Sequence, residues 1–195
     1  MNYPWQNIFY IDPKGKTIPY QAAPDTDTKT GFMDLKTQPE VIAALPECRK
    51  LPAFTQYLTA INGADTGVFS IGCHFAQNSV AQGCKTTGYL EFAFNDQALV
   101  QDPNHYFAQY FQFHNRLVRV RFAHPIGFEW VLLPAVFSPA DQQGFSCSVK
   151  MNSLEPSDQP ASVNQWLMAL ELLTDHLVDI ESTCSEPIYC RKKGE

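Results

Sequence analysis

Between Val163 and Leu177 apolar side chains return every three or four residues: Val163, Trp166, Leu167, Leu170, Leu173 and Leu177. That spacing follows the 3.6-residue turn, so the segment reads as a helix with one continuous apolar stripe. Ser162 followed by Gln165 has the form of a capping box and sets the expected start; the stripe runs on toward Ser182. A helix with a single apolar face must bury it against another layer, and the rest of the chain has to supply that layer.

Alternating segments supply it. Residues 67–75 and 88–94 alternate, with Leu90, Phe92 and Phe94 on one face of the second segment. Leu117–Ala123, Phe128–Leu133 and Phe145–Met151 read as three more strands, with His124-Pro125-Ile126-Gly127 as a turn between the first two. Pro134 is expected to end its strand or force a bulge. Helices are expected over Pro39–Leu45, Pro52–Ile61 and Pro103–Asn115. In the second, Phe54, Tyr57, Leu58 and Ile61 share a face and Asn62-Gly63 closes it. In the third, Phe107, Tyr110, Phe111 and His114 share a face. Strands joined by turns favour antiparallel pairing, so the expected fold is α+β: an antiparallel sheet of about five strands with helices on one face.

At 195 residues the chain suits one domain. Residues 1–38, rich in Pro, Thr, Asp and Lys, read as an irregular arm, with Gln6–Ile11 as an edge strand. Residues 39–186 form the expected domain and 187–195 a frayed tail. The connection from Ala76 to Thr87 is longer than a tight turn and reads as a polar loop. Charged residues are only 17% and aromatics 13%, which excludes intrinsic disorder. A net charge of -6 argues against nucleic acid as a partner. No apolar run suits a membrane span and the N-terminus lacks signal-peptide character, so the expected location is the cytoplasm.

In that compartment the six cysteines are expected reduced. Cys73 alternates with Phe69, Ile71 and Phe75, and Cys147 with Phe145, Val149 and Met151, so both read as core thiols. Cys184 and Cys190 form the one local pair suited to a disulfide, if the protein is exported. No C-x-x-C occurs, and the five histidines have no ligand spacing, so neither a metal site nor a cofactor motif is expected.

Other motifs are weaker. Asp65-Thr66-Gly67 matches the aspartic-protease triplet but follows a helix stop, so it reads as a turn. Asp25-Thr26-Asp27 reads as a solvated loop. Cys84 beside Lys85 is the best-placed thiolate, but no base accompanies it. Arg119 and Arg121 share a strand face, and a simple hairpin would set Arg121 opposite Trp130. That pair would stack on the ring or fork onto an anion.

The outer face of the last helix carries Met168 and Leu172 among Glu171, Asp175 and Asp179. Apolar side chains within an acidic face suit a basic protein partner or a second copy of the chain. Leu51-Pro52, the aromatic-rich helix and Asn62-Gly63 resemble the LP…NG helix of the SMI1/KNR4 family, whose bacterial members include toxin-immunity proteins. The resemblance covers residues 51–63. The first expectation is therefore a non-enzymatic, immunity-like binding protein that uses the last helix. The alternative is a small enzyme or ligand-binding domain using Arg119, Arg121, Trp130 and Cys84.

Overall fold

The computed structural model describes residues 4–21 and 31–181. Six strands form one sheet: β1 (Trp5–Ile11), β2 (Lys16–Ile18), β3 (Val68–Val80), β4 (Gly83–Phe94), β5 (Ile126–Phe137) and β6 (Gln142–Ser153). The order is β1-β5-β6-β4-β3, with β2 paired to the far end of β5 beside β1. Five helices complete the α+β fold: α1 (Pro46–Lys50), α2 (Phe54–Ile61), α3 (Gln97–Gln101), α4 (Pro103–Leu117) and α5 (Gln159–Val178). Pro39–Ala44 forms a 3-10 helix.

The sheet is mixed, not purely antiparallel. β3–β4, β4–β6 and β5–β6 are antiparallel, as turn-linked strands should be. β1 and β2 come from the N-terminal arm and lie parallel to β5. The arm is thus partly ordered by pairing with a strand more than a hundred residues away, which no local pattern reports. β1 pairs as far as Leu132, and β2 begins at Ala135. Pro134 sits at the gap between them, so its missing N–H costs no bond there and β5 runs through it.

The stripe of α5 docks as expected. Trp166, Leu170, Leu173 and Leu177 are fully buried. Trp166 meets Phe54 and Phe75 edge-on, at 5.6 and 5.1 Å, and its indole N–H donates to the Met151 carbonyl at 3.1 Å. The helix starts four residues earlier than the capping box suggested. Asp158 caps it by accepting from the Ala161 N–H, and Pro160 occupies the first turn. Ser162 and Gln165 are buried instead: Ser162 meets Thr86, and the Gln165 amide donates to the His124 carbonyl.

Three further expectations are corrected. Ala76–Thr87 is no loop, because β3 and β4 pair without a break from Ala76↔Thr87 to Val80↔Gly83. Small and polar residues fill this hairpin, so no apolar alternation marks it, although Cys84 and Thr86 are buried against Ser157 and Ser162. Leu117–Ala123 is no strand. Helix α4 continues to Leu117 and closes through successive turn bonds, Val118 N–H to the His114 carbonyl and Val120 N–H to the Leu117 carbonyl. Only Leu117 and Phe122 of that segment are buried. The buried face of α4 is Tyr106, Phe113 and Leu117, with Tyr110 half-buried; Phe111 is 62% exposed.

Helix packing defines two sheet faces. Leu90, Phe92, Phe128, Trp130 and Val149 face the helices and are fully buried. The opposite face carries Tyr89, Glu91, Ser146, Ser148, Lys150 and Glu129 by alternation. At its far end Phe137 meets Phe69 at 6.4 Å beside the buried Ile18, forming a second, smaller apolar layer. No helix of the described residues is long and apolar enough to cross a membrane.

Candidate functional site

The arm crosses this second face. Tyr20, just after β2, donates its hydroxyl to the Ile71 carbonyl of β3 at 3.0 Å. Farther on, Lys36 Nζ donates to the Thr66 and Val68 carbonyls at 2.8 and 3.0 Å. Thr66 belongs to the Asp65-Thr66-Gly67 triplet, which is the turn from α2 into β3. Between the arm, α1, β3 and β4 lies a pocket of about 510 Å³.

A bulge in β3 shapes one wall. The register of β3 on β4 shifts between Ser70 and Gly72, so Ile71 is an extra residue. Bulges bend a strand and re-aim its side chains. Here the shift puts Gly72 opposite Glu91 and His74 opposite Tyr89. His74 stacks on Tyr89 at 6.0 Å with the planes 29° apart. A side chain at Gly72 would crowd the Tyr20 hydroxyl, since a Cβ there would lie 3.3 Å from it.

A polar triad forms the floor. Glu91 is only 5% exposed. Lys16, reaching over from β2, places Nζ 2.6 Å from Glu91 Oε2, and the Ser146 hydroxyl donates to Oε1 at 2.7 Å. Both carboxylate oxygens are therefore satisfied, as a buried charge requires. Lys16 also lies 5.4 Å from the centre of the Tyr20 ring.

The wall carboxylate is different. Glu47, from α1, has a side chain only 13% exposed. The His74 imidazole places Nδ1 3.8 Å from Oε1, and the carboxylate accepts no hydrogen bond among the described residues.

The two glutamates make the pocket electronegative. Burial and then Glu91 push the Tyr89 phenol up to about 12, with Glu47 adding to the effect. Burial and the same carboxylates hold Tyr20 well above its ordinary value. Burial, then Glu47, raises the Cys73 thiol far above the ordinary range. A thiol held protonated is a poor nucleophile, so Cys73 lines the site without activating it.

The residues expected from sequence fall elsewhere and do not converge. Arg119 and Arg121 are exposed in the connection after α4, and neither makes an ion pair among the described residues. The hairpin that would set Arg121 opposite Trp130 does not exist; Trp130 pairs with Phe9 and Val149 and is fully buried. Its ring packs on Phe113 at 5.4 Å and Phe92 at 6.2 Å. Cys84 is 8% exposed and bridges its backbone to Ser157 in both directions, at 2.8 and 3.1 Å. Cys147 is fully buried, as expected. Asp25, Asp27, Cys184 and Cys190 lie outside the described residues.

On the outer face of α5, Met168 is 39% exposed, and Glu171 and Asp175 are exposed beside it. Leu172 is half-buried and packs against the core. Asp179 pairs with Arg116 of the same chain.

No protein-family model, curated protein or solved structure matches this chain. The likeness of residues 51–63 to one helix of the SMI1/KNR4 family stays confined to that helix.

The pocket is not legible in the sequence because its walls come from five distant segments. One local signal existed: Tyr89 and Glu91 are large polar residues on the face of β4 opposite Leu90 and Phe92. A strand with polar groups on one face normally shows that face to solvent. The burial of Glu91 is what marks it.

Proposed function

We propose that the chain is a small-ligand-binding domain whose site is the pocket between the arm and the β3–β4 face. The observation that carries this reading is a concave space of about 510 Å³, walled by aromatic and aliphatic side chains and floored by a fully satisfied ion pair. That size is typical of small-molecule sites, as is the mixture of apolar lining with a few fixed polar groups. Binding fits the chemistry better than covalent catalysis. The pocket thiol is held protonated, and the floor carboxylate is fully engaged by Lys16 and Ser146.

A fragment screen by ligand-observed NMR tests the reading. Fragments should bind the wild-type chain and be displaced by a Met33→Trp substitution, which fills the pocket from a side chain already 38% exposed. A screen without hits, or hits indifferent to Met33→Trp, refutes it.

A second reading is protein recognition at the outer face of α5, by a basic partner or a second copy. Exposed Met168 beside Glu171 and Asp175 favours it. The surface is narrower than the sequence suggested, because Leu172 and Asp179 are engaged by the chain itself.

A further inference from the structure

The floor and the wall of the pocket treat their carboxylates differently. Glu91 has a lysine and a hydroxyl on its two oxygens. Glu47 is seven-eighths withdrawn from water, yet has no hydrogen-bond donor within the described residues and only a distant imidazole beside it. A carboxylate drawn largely out of water gains from a cationic partner. Such a group persists where something else completes it. Around it the pocket presents ring faces and aliphatic surface: Tyr89 stacked with His74, Tyr20, Met33, Leu35 and Ile71. Aromatic faces attract cations, the more so when water is excluded.

From this we infer that the pocket binds a small organic cation, an ammonium or amidinium group on an apolar or aromatic body. The cationic nitrogen donates to the Glu47 carboxylate, and the body lies against Tyr89 and the Tyr20–Met33 side. An anion is disfavoured, since Glu91 and Glu47 both face the space and Lys16 is already committed to Glu91. The inference rests on the ligand-binding reading above, and adds the class of ligand and the residue that selects it.

Three probes of one shape separate the outcomes: benzylamine, benzyl alcohol and benzoate, each titrated by NMR at neutral pH into the intact chain. Benzylamine should bind at least about tenfold more tightly than benzyl alcohol, the factor expected of a charge-assisted contact in a partly dry site. Benzoate should bind weakest. Glu47→Gln should abolish the preference for the amine while leaving benzyl alcohol binding unchanged. That unchanged binding also shows that the variant is folded. If benzyl alcohol or benzoate binds as well as the amine, or if Glu47→Gln leaves the preference intact, the cation assignment is wrong and the pocket reading stands. If none of the three binds and the fragment screen is also empty, the pocket reading falls and this inference with it.

Discussion

Replacing Lys16 with methionine removes the cation that pairs with Glu91 at the floor of the pocket and leaves its partner in place. Glu91 is 5% exposed, at the floor of the pocket. It keeps the Ser146 bond but loses a 2.6 Å ion pair. Breaking a buried pair from one side costs about 3–5 kcal/mol, because a charge stays behind uncompensated. Lys16 keeps a quarter of its side chain in solvent, so the lower end applies, about 3 kcal/mol. With a urea slope of about 2 kcal/mol per molar, the unfolding midpoint should fall by about 1.5 M. The matched control is the triple substitution Lys16→Met, Glu91→Leu and Ser146→Ala, which removes every member of the triad together. It should recover most of the loss, since apolar replacements of a whole buried polar group are close to neutral. Circular dichroism against urea measures all three proteins. If Lys16→Met costs under about 1 kcal/mol, or the triple variant is no better than the single, Glu91 does not depend on Lys16 and the account of the floor is wrong.

Trp166→Ala should destabilise the chain by about 4 kcal/mol, because it empties the contact among α2, α5 and β3 and leaves the Met151 carbonyl without its donor; calorimetry would show it. Burial, and then the neighbouring Arg116, holds His176 at about 4, against an ordinary value near 6.5. Between those values the unfolded chain takes a proton that the native chain refuses, so stability should rise with pH across that window by roughly 3 kcal/mol. His176→Leu should flatten this part of the pH–stability profile, and an unchanged slope would assign it to other groups. Met168→Lys with Asp175→Lys should leave stability within about 0.5 kcal/mol, both positions being exposed. If α5 recognises a basic partner or a second copy, the same variant should lose that association in native mass spectrometry of the protein from its source cell.

The amphipathic seam of α5 was determined by the sequence alone, because a helix reports its buried face within a few turns. So were the cores of β4 and β6 and the end of α2 at Asn62. Where local pattern and tertiary context disagreed, context prevailed. The alternation over Leu117–Ala123 has no neighbouring strand to pair with, so those residues finish a helix and turn. Cys84 sits in a polar stretch that pairs as a hairpin, and pairing buries it. The expected cluster of Arg119, Arg121, Trp130 and Cys84 depended on those two errors and dissolves with them. The polar face of β4 could be read from Tyr89 and Glu91, but its covering could not. Only the tertiary structure decided that Lys16 would cross from β2 to Glu91, and that Glu47 would enter the same space from α1. The physical reason is range: helical and strand periodicity is enforced between near neighbours, whereas a pocket is enforced by segments whose meeting depends on the whole sheet.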